Sequence, residues 1–175
     1  MRLCLVLTAL LIAAMVLANW PHAAALPQTK RQYLVHVSAG ETTNDTSSEA
    51  QPEPVIVTEP ALGGKGLKVT FTAGGSVGQR VTRPDWTPYS RIRFQVVNPG
   101  AEAGLELTVI HAGSTNFATR IVVPLTFKSG TSEHVIELAK LQNTNGSPPN
   151  LARIKRWYFA EPDGKTPTLV FGDLE

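Results

Sequence analysis

The chain has 175 residues, with 16 Lys and Arg, 14 Asp and Glu, and a single cysteine. Only Arg2 among the charged residues precedes residue 26, so the 150 residues from Leu26 onward carry 15 basic and 14 acidic side chains. So even a balance excludes the concentrated basic stripe of a nucleic-acid binder. With Cys4 near the start, it also leaves the rest of the chain without a disulfide, thiol nucleophile or cysteine-based metal site.

Arg2 and the uncharged apolar run of 16 residues from Leu3 to Ala18 read as a secretory signal. The run is shorter than the roughly 20 residues that span a bilayer. Ala23 and Ala25 stand in A-x-A arrangement, which places the cut after residue 25. The mature protein is therefore expected to be secreted or held in the periplasm or cell envelope, with no membrane span. Residues 26–54 are rich in Thr, Ser and Pro around Glu41, Asp45, Glu49 and Glu53, and read as a disordered acidic linker. Within it, Tyr33 to Val37 alternates well enough to pair as a short strand with an edge of the main domain. Asn44-Asp45-Thr46 and Asn145-Gly146-Ser147 have the form of glycosylation sequons.

Residues 55–175 consist of short alternating runs broken by Gly, Pro and Asn. In chain order the runs are 55–59, 67–71, 78–82, 92–97, 104–111, 117–127, 133–138, 154–160 and 168–174. Leu67, Val69 and Phe71 share one parity, as do Ile92, Phe94 and Val96, so each strand buries one face. Nine such runs with no amphipathic helix predict an all-β domain, a two-sheet sandwich or jelly roll. Leu138 to Leu141 is expected to make one helical turn. In 154–160, Trp157 and Phe159 are assigned inward, which turns Arg156 and Tyr158 to solvent.

The segment Asp85-Trp86-Thr87-Pro88-Tyr89, followed by Arg91-Ile92-Arg93-Phe94-Gln95-Val96-Val97 and Asn98-Pro99, resembles secreted bacterial jelly rolls of the galactose-binding-like superfamily. These include carbohydrate-binding modules and domains attached to glycoside hydrolases. The likeness spans residues 55–175 and specifies fold more than function. It implies a secreted, non-catalytic module that binds carbohydrate. The alternative is a structural or protein-interaction domain of the cell envelope, with a small glycan-active enzyme third. In related jelly rolls an aspartate on the last strand joins other oxygens around a structural calcium ion. Asp173 stands at that place, with Glu59 as its partner, although this chain has Gly172-Asp173 where many relatives carry two adjacent acidic residues.

Sugar recognition needs an aromatic face and polar groups. Arg93, Gln95, His111, Arg120, Arg156 and Tyr158, on strands or their ends, supply the candidate set. Trp86 and Tyr89, three residues apart across a Pro-containing turn, are read as rings that plug one end of the sandwich, with a ligand platform as the other reading. Catalysis finds little support. Gly74-Gly75-Ser76-Val77-Gly78 matches the nucleophile-elbow pattern, but no helical segment follows it. The carboxylates show no pair that their spacing singles out for glycoside hydrolysis.

Overall fold

The computed structural model describes residues 30–43 and 53–175, so the signal segment and the sequon at Asn44 lie outside the described residues. Among the described residues nine strands form: β1 (Val55–Glu59), β2 (Gly64–Thr70), β3 (Ser76–Arg80), β4 (Arg91–Asn98), β5 (Ala103–His111), β6 (Ile121–Phe127), β7 (Gly130–Glu137), β8 (Ile154–Ala160) and β9 (Thr168–Phe171). They make two antiparallel sheets, one in the order β1-β2-β9-β4-β7 and the other β3-β8-β5-β6. Leu138–Lys140 forms the expected single turn. The run 117–127 divides: Phe117–Thr119 is a 3-10 turn, because Asn116 and Thr119 bond reciprocally in a capping box, and the strand starts at Ile121.

Between the sheets, Phe159 of β8 stacks on Phe171 of β9 at 5.0 Å and meets Phe94 of β4 edge-on at 5.4 Å. Trp157 is buried behind it, as its parity predicts. Trp86 is buried as well, its main-chain N–H donating to the Leu151 carbonyl at 2.9 Å. Ser76 of the elbow-like pattern opens β3, a strand between two strands rather than the turn before a helix. Gly78 lies opposite Tyr158, and a side chain there would collide with the Trp157 carbonyl oxygen.

The reading of residues 26–54 as a disordered linker is corrected over 30–43. Val35 and Val37 are fully buried members of the core, and Val35 pairs with Leu174. This strap is tied down along its length. Gln79 Nε2 donates to the Leu34 carbonyl at 2.7 Å, and Ser38 donates from its main-chain N–H and its hydroxyl to the two Asp173 oxygens, both at 2.8 Å. The shared parity of Val35 and Val37 outweighs the polar composition around them, because burying a Val side chain contributes about 1.5–3 kcal/mol. Replacing Val35 by Asp would bury a charge without a partner. Val35→Asp is therefore expected to cost about 3 kcal/mol or more, while Val55→Ser, at an exposed edge position, should change stability by about 0.5 kcal/mol or less. Chemical denaturation of both variants checks the contrast.

The opposite end is held by Glu161, a buried carboxylate that accepts from the N–H groups of Gly74 at 3.2 Å and Asp163 at 2.9 Å. Burial pushes this carboxyl up, but main-chain N–H groups of Lys165, Gly74, Asp163 and Gly164 outweigh it and hold the group below the ordinary glutamate value. A folded-state value below the unfolded one contributes stability that is complete above the ordinary glutamate range and is lost as pH falls through the folded value. Glu161→Gln should lower stability by roughly 1–3 kcal/mol at neutral pH, the cost of weakening buried hydrogen bonds. Thermal melts across pH should also show a smaller acid loss in the variant than in the parent chain.

Candidate functional site

The outer face of the four-stranded sheet gathers three of the expected ligand residues. Register places Gly78, Tyr158, Thr108 and Val122 in one row across β3, β8, β5 and β6, with Arg80, Arg156 and Ile110 in the adjacent row. Arg156 lies over the Tyr158 ring, 4.7 Å from its centroid. Arg120 stands one residue ahead of β6 with the parity of Val122. Its carbonyl accepts from Thr144 N–H at 2.8 Å and Thr144 Oγ1 at 3.0 Å, which fixes that end of the strand. Tyr158, Arg156 and Arg120 are all half-buried, and the Arg156 Nε is itself buried. A tyrosine ring with one guanidinium stacked on it offers an apolar surface and charged N–H donors side by side.

Arg93 and Gln95 do not belong to this face. They lie on β4, on the outer side of the other sheet, opposite Val135 and Glu133 of β7. Arg93 is committed internally, its Nε donating to Glu175 Oε1 at 2.7 Å and its Nη1 lying 3.5 Å from Glu133. The hydrogen bond and charge of Glu175 raise the Arg93 value above the ordinary one. The expected single ligand set is thus split by the thickness of the sandwich, because parity separates inward from outward but does not say which sheet a strand joins.

His111 leaves the ligand set. It is buried at the end of β5 with both ring nitrogens engaged. The Gly113 N–H donates to Nδ1 at 3.0 Å, so Nε2 carries the proton and donates to Asn143 Oδ1 at 2.9 Å. The ring joins the β5–β6 loop to the segment before β8. His134, half-buried on β7, stacks on Phe94 and has its value lowered by burial.

The calcium donors are also used elsewhere. Asp173 spends both oxygens on Ser38, and Glu59 accepts from Ala61 N–H at 3.2 Å as the cap of the following turn. Among the described residues no three His, Cys, Asp or Glu side chains converge. The donor set does not fit a cation that takes six to eight oxygens. A serine hydroxyl and a main-chain N–H occupy the aspartate that the resemblance assigns to the ion.

A groove that takes only Arg93 from the candidate set opens where β4 begins. It encloses about 240 Å³ between the strap, the Trp86 to Ser90 turn and residues 91–93. The turn is set by Asp85, whose Oδ1 accepts from Thr87 Oγ1 at 2.6 Å and Thr87 N–H at 3.0 Å; these bonds lower the Asp85 value. Tyr89 is fixed by its hydroxyl, which donates to Gln32 Oε1 at 2.7 Å. In the sequence, the signals for this groove are the alternation of Tyr33 to Val37 and the shared parity of Arg91 and Arg93. Among the described residues, no helix is long and apolar enough to cross a membrane.

No protein-family model matches the chain, and no curated protein matches it. Solved structures do. The family 11 carbohydrate-binding module of the cellulosomal cellulase Lic26A-Cel5E of Clostridium thermocellum aligns with a TM-score of 0.63 at 14% identity, covering 83% of this chain and 93% of that one. A family 11 module from Clostridium thermocellum in complex with a β-1,3-1,4-mixed-linked tetrasaccharide aligns at 0.59 and 15% identity, covering 73% and 83%. An exo-β-agarase aligns at 0.60 and 13% identity, covering 82% of this chain and 25% of the enzyme. The chain shares the two-sheet jelly-roll β-sandwich fold of these structures.

Proposed function

We propose that the protein is a non-catalytic carbohydrate-binding module that works outside the cytoplasm, and that it binds through the outer face of its four-stranded sheet. The fold likeness to the family 11 modules, one of them solved with a bound tetrasaccharide, carries the reading. The face that holds Tyr158 with Arg156 stacked on its ring, and Arg120 just ahead of β6, supports it, because a sugar ring needs an apolar surface with hydrogen-bond donors at its edge. The apolar run after Arg2 supports an exported chain. The strand–turn–strand setting of Ser76 favours binding over acyl-transfer chemistry.

The test is retention of the full chain on immobilised polysaccharides, with mixed-linked β-1,3-1,4-glucan first, followed by a glycan array. Tyr158→Ala and Arg156→Ala are expected to weaken retention by about tenfold, a loss typical of removing a stacking ring or a charge-assisted donor. Arg93→Ala should leave retention unchanged. Retention on no glycan overturns the carbohydrate reading in favour of a protein-interaction domain of the envelope. Full retention by both β8 variants places the ligand elsewhere.

A further inference from the structure

The groove at the start of β4 has a chemistry that the sheet-face site does not use. Its charged side chains are Lys30, Arg31, Arg91 and Arg93 against the side-chain carboxylate of Glu175. That carboxylate is already held by Arg93 and Arg31. Lys30 lies 6.0 Å over the Tyr89 ring. Arg91 is exposed, and its guanidinium has no ion-pair or hydrogen-bond partner among the described residues. Glu137, opposite it in register, is taken by Lys140 at 2.9 Å.

Trp86 lines the groove and is only 3% exposed, with its indole N–H buried away from the open space. Leu34, Ile92, Leu138 and Tyr89 give the same space apolar walls. Its volume of about 240 Å³ is below the roughly 300–1,000 Å³ of drug-sized sites, so it admits one ring and not a chain.

We infer that this groove binds a single carboxylate-bearing sugar ring, a uronic acid or a uronate chain end. The carboxylate pairs with the Arg91 fork, and the ring lies against the Tyr89 and Leu138 wall. Planar bidentate recognition of a carboxylate is what an unpaired guanidinium supplies. The hydroxyl of Ser90 and the amide N–H₂ of Gln32 are within the lining to serve sugar hydroxyls. The inference does not rest on the β8 face, since the two sites share no residue.

The experiment titrates the full chain with galacturonate while following its three tryptophan indole N–H signals by ¹H–¹⁵N correlation. The Trp86 signal, identified by its loss in Trp86→Phe, should shift saturably, and the Trp157 signal should not. Arg91→Ala, at an exposed position, should keep the parent's thermal melt and weaken binding by about tenfold or more, with Arg91→Lys recovering part of it. Tyr158→Ala should bind galacturonate as the parent does. Methyl galacturonate ester and galactose, which lack the charge, should bind at least about tenfold more weakly. The inference is overturned if the ester binds as tightly as the acid, if Arg91→Ala binds unchanged, or if millimolar galacturonate produces no saturable shift of Trp86. Benzoate binding as tightly as galacturonate overturns the sugar assignment, leaving a general carboxylate site.

Discussion

Phe159 is wedged between Phe171 and Phe94, and that contact between the two sheets governs the arrangement of what surrounds it. Offset and edge-to-face aromatic pairs contribute about 0.5–1.5 kcal/mol beyond the area they bury, and here they hold two strands of one sheet against one of the other. Once Phe159 faces inward, the period of two sends Trp157 into the core and Arg156 and Tyr158 to the outer surface. A slip of one residue in β8 would bury a guanidinium and expose an indole, so the register is protected by a large penalty. The same cluster continues to the sheet edge, where His134 packs against Phe94 and Phe127.

The strap solves a different problem. Beyond Phe171 the chain leaves β2 and runs beside β4, with Gly172 N–H on the Gln95 carbonyl and Glu175 paired to Arg93 through both main-chain bonds. Its other side would expose Leu174 and the flank of the core. Residues 33–37 cover it, and the ion pairs of Glu175 with Arg31 and Arg93 sit over the seam. Partly exposed pairs of this kind contribute little by themselves, whereas the buried valines carry the attachment. The groove beside Trp86 exists because the strap forms one of its walls.

The nine strands are legible in the sequence because alternation and glycine or proline breaks are local signals. β1 and β8 match their runs residue for residue, and the inward placement of Trp157 follows from its sharing a face with Phe159. The strap is less legible, since only three aliphatic residues stand among polar ones and their burial comes from Leu174, distant in sequence. The partner of His111 is equally remote: Asn143 lies in the segment before β8, and nothing near His111 in the chain announces it. Topology divides the candidate set, since Arg93 and Tyr158, both turned outward on their strands, fall on different sheets.

The position of β9 has a consequence for how the chain acquires its shape. This last strand lies in the middle of the five-stranded sheet, with β2 on one side and β4 on the other, and Leu67 finds Phe171 only across most of the domain's length. A growing polypeptide can form the β5–β6 hairpin early, but the larger sheet keeps an open slot until β9 emerges. Non-local closure of this kind must meet its loop entropy before any contact rewards it, so folding is slow and late. Until that moment the slot exposes two unsatisfied strand edges, and the half-made domain is most vulnerable to pairing with another copy of itself.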